Sequence, residues 1–360
     1  MNTPMTSTAT EPAVAEALAT EALAGVAPAA LLPVEPPRGP WRRAWQGLLA
    51  SRTAVLSGLG LLLIVATVLM APLYARHVAG TDPFRSGLSA KIQIDGKRVP
   101  VMQQSTEGLG LGVTPIGPTW GPQYLLGADN QGRDVAARLL YGGQNSLLIA
   151  GAATLLCLVC AAVVGIVAGY VGGATDSVLS NLIDMLWAFP VYLLAISLSI
   201  VMIGKSFVIG PFQISSSSLI VPILIIGLVY VPYVARPIRG RVLAIKNSEF
   251  VLAARGLGIR PSRILLRHVL PNVLTTLIVF APMLMALNIV TESSLSFLSV
   301  GVQPPNASWG TILQDGQALL YSRPVVSMAP GLAIMLTVML LNLFGDILRD
   351  VLDPKSARGR

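Results

Sequence analysis

Six stretches of this chain carry no charged residue over about the length of a bilayer crossing, and no other property restricts the fold as much. They are residues 53–75, 139–175, 185–204, 219–235, 269–291 and 324–345. A helix needs about 20 apolar residues to cross the hydrocarbon, where every backbone group must be satisfied within the protein. Charged residues make up 12% of the chain, against about 25% in a soluble domain. Mean hydropathy is +0.69. The expected fold is all-α and integral to a membrane, with six transmembrane helices.

Charge then orients the helices. The net charge of +8 would suit a nucleic-acid binder, but the basic residues lie beside the apolar runs and follow the positive-inside bias, so no nucleic-acid partner is expected. Residues 236–267 carry Arg236, Arg239, Arg241, Lys246, Arg255, Arg260, Arg263 and Arg267 against one acid, Glu249. Arg38, Arg42, Arg43 and Arg52 flank the first run; Arg349, Lys355, Arg358 and Arg360 close the chain. With six spans these three regions share one side, so both termini are expected in the cytoplasm of a bacterial or archaeal inner membrane.

The intervening segments divide the chain. Residues 1–40, rich in Ala, Pro, Glu and Thr, read as a disordered cytoplasmic tail without signal-peptide features. Residues 41–75 form an interfacial basic–aromatic segment and the first helix, and 76–138 a long extracytoplasmic insertion. Within the insertion, Ile92, Ile94, Val99 and Val101 flank Asp95-Gly96, a hairpin signal, while 108–122 reads as loop. Residues 139–350 hold the remaining five helices, with a cytoplasmic loop at 247–272, and 351–360 form a second tail.

That loop, NSEFVLAARGLGIRPSRILLRHVLPN, has internal structure. Asn247 or Ser248 suits a helix N-cap, with Glu249 in the first turn complementing the dipole. Phe250, Ala253, Ala254 and Leu257 fall at helical spacing as one apolar face, Gly258 is a C-terminal stop, and Pro261 opens a second short helix through Arg263 and Arg267. Ala253, Ala254, Gly258, Leu270 and Pro271 stand in register with the Glu-Ala-Ala loop of ABC importer permeases. Leu252 replaces its Glu and His268 its Ile. The wider form, EFV-x-AAR-x-LG and RHVLPN, resembles the C-type permease subunit of peptide (dipeptide and oligopeptide) importers.

Two further blocks extend the resemblance over residues 120–355. LGADNQGRD at 126–134 resembles the block that opens the family's membrane core, with Ala128 for the usual Thr. Gly127 and Gly132 permit tight turns, and Asp129, Arg133 and Asp134 are expected to form a compact ion-pair group, either as an interfacial anchor or in gating or docking. SSLSFLSVGV with SWG, and GDILRDVLDP, match the family's later segments. The resemblance implies the type I ABC importer permease fold and a second permease subunit completing the translocation pathway. It also implies two ABC ATPase subunits docked on residues 249–271, and an extracytoplasmic substrate-binding protein. ATP and magnesium would then belong to the ATPases, and this chain would bind no cofactor and catalyse nothing.

Other chemistry finds little support. Gly204-Lys205-Ser206 lacks the first Gly of a phosphate loop, and Ser199 stands in its place. His77 and His268 fall on opposite sides of the membrane, which excludes a paired-His metal site. No GxSxG or HExxH occurs, and Cys157 and Cys160, inside an apolar run, read as packing residues. Gly165, Gly169 and Gly173, four apart, are expected to admit a close helix neighbour. Asp184, Asn288, Glu292 and Asn342 are polar at membrane depth and should face other helices or a water-filled path. The competing reading is a channel or secondary transporter using Asp184 and Glu292. It is separated from the first by whether transport needs ATP hydrolysis in a partner.

Overall fold

The computed structural model describes residues 40–94, 96–105, 112–202, 207–209, 212–214 and 218–352. Of the expected tails at 1–40 and 351–360, only Pro40, Val351 and Leu352 are described, and all three are helical rather than tail; the hairpin tip Asp95 and the Gly204-Lys205-Ser206 sequence also lie outside the described residues. The chain clusters into two units that meet between Trp45 and Gln46; of the first, only residues 40–45, the opening of helix α1 (Pro40–Ala50), are described.

Ser51 caps α2 (Arg52–Leu69) by accepting a hydrogen bond from the Ala54 amide. The helix extends through a π turn, Tyr74–Ala79, and stops at Gly80. Strands β1 (Lys91–Ile94) and β2 (Lys97–Pro100) then pair antiparallel, with Ile92 opposite Val99, as the turn signal at 95–96 predicts. The following segment is more ordered than its Gly/Pro content suggests, because β3 (Met102–Gln104) pairs with β4 (Val113–Pro115). Ile92, Val101, Ile116, Tyr124 and Ala128 bury together as a small core for this insertion.

The central element is α3 (Val135–Val171), 37 residues long. At 1.5 Å per residue it measures about 55 Å, well beyond the ~30 Å hydrocarbon thickness, so it extends past the membrane core. α4 (Gly173–Trp187) and α5 (Val191–Met202) meet at 86°. α4 is helical from Gly173 onward, and Pro190 breaks the chain because it lacks an N–H and disfavours helix at Phe189. A two-strand pair, β5 (Phe207–Ile209) with β6 (Phe212–Ile214), precedes α6 (Ile220–Val229) and α7 (Val231–Lys246), which meet at 44° around Tyr230. Arg236, Arg239 and Arg241 therefore stand on a continuing helix, not in a loop.

α8 (Glu249–Gly256) leads to α9 (Pro261–Phe297), then α10 (Trp309–Gln317) and α11 (Val325–Leu352). Among the described residues four helices, α2, α3, α9 and α11, are each long and apolar enough to cross a membrane. The count reaches six when each bent pair is one span.

Small residues let α3 serve as the shared wall. A Cβ on Gly165 would stand 2.8 Å from Ile238 and one on Gly169 2.9 Å from Val242, so both are needed for α7 to approach. Gly173 has open space, contrary to expectation, because it lies beyond the break at Gly172. Gly227 plays the same part for α6, where a Cβ would meet Leu156 at 2.8 Å. Cys157 is buried in this core as a free thiol, with Cys160 half-buried beside it.

Candidate coupling and transport sites

The sites are best built outward from the two ends of α3. At its Val171 end, the Tyr170 hydroxyl donates to the Pro261 carbonyl (2.7 Å) and Lys246 Nζ donates to the Tyr170 carbonyl (2.8 Å), so α7, α9 and the loop between them are tied to one point. Ser248 is the N-cap of α8 by position, but its hydroxyl donates back to the Ile245 carbonyl (2.6 Å) and makes no cap bond. The other end of α8 is closed as the sequence implies. Gly258 N–H donates to the Arg255 carbonyl (2.9 Å) and Ile259 N–H to the Ala254 carbonyl (3.1 Å), the paired bonds of a Schellman turn. Gly258 has φ +73° and nothing near its missing side chain, so conformation and not space demands glycine there.

The apolar face of α8 divides differently from the expected one. Val251 and Ala254 point inward and are buried with Ile245 and Ile264, so Ala254 leaves the exposed set. Phe250 (51% exposed), Leu252 (53%), Ala253 and Leu257 (81%) stay uncovered. Phe250 leans on the ring of His268, 5.9 Å away. Glu249 and Arg255 are exposed on the same stub. Arg260 is the N-cap of α9 and Pro261 its first residue. The expected short second helix does not end: it runs through a π turn, Leu265–Val269, into the long apolar helix. The π turn supplies the irregularity that Pro271, with no N–H to donate, requires. Arg260, Arg263 and Arg267 surround a shallow hollow of about 430 Å³ with Ser262 and Leu266.

At the opposite end of α3, Asp129 and Arg133 pair at 2.7 Å, but the third expected member is elsewhere. Asp134 caps α3 through the Ala137 amide (3.1 Å) and accepts from the Tyr124 amide (2.9 Å) and the Thr81 hydroxyl (3.3 Å). Its carboxyl is raised above the ordinary Asp value by burial, against the lowering effect of those amides. The ion cluster is instead completed by Arg138 and Asp315. Asp315 Oδ2 accepts from Arg133 (2.8 Å) and Arg138 (3.0 Å), and Arg138 Nε lies 3.4 Å from Asp129. Burial raises the Asp315 carboxyl, opposed by the two guanidiniums. Gly127 (φ +86°) and Gly132 (φ +71°) make the turn that presents Asp129, and a Cβ on either would meet backbone within 2.8 Å.

The membrane-depth polar residues separate into two groups. Glu292 is fully buried and accepts from Ser146 (2.8 Å) and Ser296 (2.7 Å), while Ser146 accepts from the Trp309 amide (3.1 Å). Asn288, also fully buried, donates to Thr154 at 2.9 Å. Both tie α9 to α3. Asp184 is exposed and pairs with Arg236 at 2.5 Å, with that guanidinium 5.4 Å from the Trp187 ring centre. Asp176 receives both arms of Arg239 at 2.5 and 2.7 Å. Sequence reading missed Arg138, Asp315, Ser146 and Trp309. The only local signal was a charge, Arg138, standing directly before an apolar run.

Comparison with known proteins adds to this geometry. Residues 161–358 match the family described as the binding-protein-dependent transport system inner membrane component. The chain belongs to this family. Residues 39–85 match the N-terminal transmembrane domain of oligopeptide transport permease C, so this permease carries that subgroup's first helix as well. The glutathione transport system permease protein GsiD of Pectobacterium atrosepticum is 33% identical over 88% of this chain and 92% of its own length. The dipeptide transport system permease protein DppC of Alkalihalophilus pseudofirmus is 31% identical over 88% and 90%. A putative peptide transport permease of Brucella suis is 39% identical over 65% and 75%. A solved chain of the MetNI methionine ABC transporter, inward facing, superposes with a TM-score of 0.48 at 19% identity, covering 59% of this permease and 96% of itself. The resemblance to peptide-type ABC importer permeases is thus borne out, and the chain is a multi-pass membrane permease of binding-protein-dependent import.

Proposed function

We propose that this permease carries small peptides, glutathione-like tripeptides among them, across the inner membrane and couples that movement to ATP hydrolysis through α8. The relatives' names support the substrate class. The observation that carries the coupling is the exposed apolar face of Phe250, Ala253 and Leu257, on a two-turn helix whose adjoining face is locked by Val251 and Ala254. Such a face at a water-exposed end of the bundle calls for a protein groove. The partners are two ABC ATPase subunits, which hold ATP and magnesium; a second permease that completes the pathway; and an extracytoplasmic binding protein. Arg255, Arg260 and Arg263 form the polar rim of the ATPase contact, and Glu249 and Arg267 bracket it. Closure of the ATPase pair would move α8, and its ties at Tyr170 and Pro261 pass that motion to α3 and α9. This chain itself is non-catalytic, with both termini on the ATPase side. The Asp129–Arg133–Arg138–Asp315 cluster, some 48 Å along α3 from Tyr170, belongs to the binding-protein side. Substitution of Phe250 and Leu257 by Asp, followed by co-purification of the ATPases, tests this reading.

A further inference from the structure

An apolar groove of about 500 Å³ lies between α3 and α9, and its Leu270 end stands one turn along the chain from Leu266 of the arginine hollow. Leu266 lines the hollow and Leu270 the groove, one turn apart across the π turn, so the hollow and the groove follow one another along α9. From Leu270 the groove runs to Ala281, faced by α3 from Val167 back to Leu155. At 1.5 Å per residue that is about 16–18 Å, the depth of one leaflet of a ~30 Å hydrocarbon core. Among the described residues, none of Arg260, Arg263 and Arg267 makes an ion pair. Three unpaired guanidiniums at the mouth of a leaflet-deep apolar groove match a phosphodiester headgroup above an acyl chain.

We propose that the hollow and the groove together are a binding site for one anionic phospholipid of the cytoplasmic leaflet, with its phosphate held by Arg263, Arg267 and Arg260 and one chain lying between α3 and α9. A helix of the second permease is the other occupant the groove would accept, but a purely apolar helix brings no anion to the three arginines. Arg260 and Arg263 also rim the proposed ATPase contact and Arg267 borders it, so a lipid here would brace the base of the loop that the ATPase reading makes the coupling element.

The test is native mass spectrometry of the full transporter, purified in mild detergent and titrated with phosphatidylglycerol or phosphatidylcholine. Phosphatidylglycerol should bind at least about tenfold more tightly, since each basic residue contributes about 1 kcal/mol toward an anionic lipid. Arg267→Gln should weaken it roughly fivefold by the same measure. Leu274→Trp, at a partly exposed position on the groove wall, should abolish the adduct while the ATPases and second permease remain bound. Equal binding of the two lipids, or an adduct unchanged in Leu274→Trp, overturns the proposal. Loss of the second permease in Leu274→Trp also overturns it and assigns the groove to that subunit. Failure of the ATPase reading alone would appear as a chain that never captures ATPase yet still selects phosphatidylglycerol.

Discussion

Gly258 shows how much a single residue fixes. Its φ of +73° closes α8 and turns the chain into α9, and a side chain there would touch nothing. The cost of replacement is therefore backbone strain of about 1–2 kcal/mol for most residues and less for Asn, which tolerates the left-handed region. Gly258→Val should impair stimulated ATPase activity in proteoliposomes while Gly258→Asn retains most of it; equal loss in both would mean that space or flexibility, not conformation, matters there. The stop signal was legible because it is local. The inward turn of Ala254 was not, because over two helical turns the pattern cannot say which side Ile245 and Ile264 will occupy.

Between elements, polar contacts do what small residues alone cannot. Arg138, 3% exposed, bridges Asp129 and Asp315, residues 186 positions apart in the chain, and no sequence spacing announces such a pair. Arg138→Ala would leave both carboxylates short of a cation, at a cost on the order of 3–5 kcal/mol for a buried pair. The expected result is a clearly lowered Tm in detergent, with Arg133→Lys milder because Arg133 is more exposed. Glu292 poses a different question. Ser146 on α3 donates to one of its carboxylate oxygens and Ser296, one turn along α9, to the other; Gln keeps one of these acceptors and offers an N–H to the second serine oxygen. Glu292→Gln should fold and support uptake at near the wild-type level. Abolished uptake in a stably folded Glu292→Gln protein would point instead to a carboxylate that carries charge, as a secondary transporter requires. The apolar stretches that make α2, α3, α9 and α11 were plain in the sequence. The 86° turn at Pro190 was not readable in its size, since a proline marks where a helix fails and not how far the chain then turns.

At the scale of the molecule, α3 connects two sites with different chemistry: an ion cluster at Arg138 and the α8–α9 turn tied to Tyr170. The four long apolar helices, the insertion's first hairpin, and the helix and Gly turn at 249–258 all followed from composition and punctuation. The second hairpin, the bent pairs and the serine cage around Glu292 depend on which segments meet, and that information is spread across the whole chain. The central claim is that the exposed face of α8 holds the ATPases. Its most direct measurement is a pull-down from detergent-solubilised membranes, comparing wild type with a Phe250→Asp, Leu257→Asp double variant. Neither side chain belongs to the buried core, so the variant should insert and keep its Tm. If the account holds, the wild type brings down ATPase subunits and a second permease, and the variant recovers at least about tenfold less ATPase, as expected when two interface anchors are lost. A variant that captures ATPase as well as wild type, or a wild type that purifies alone and still transports, would contradict it.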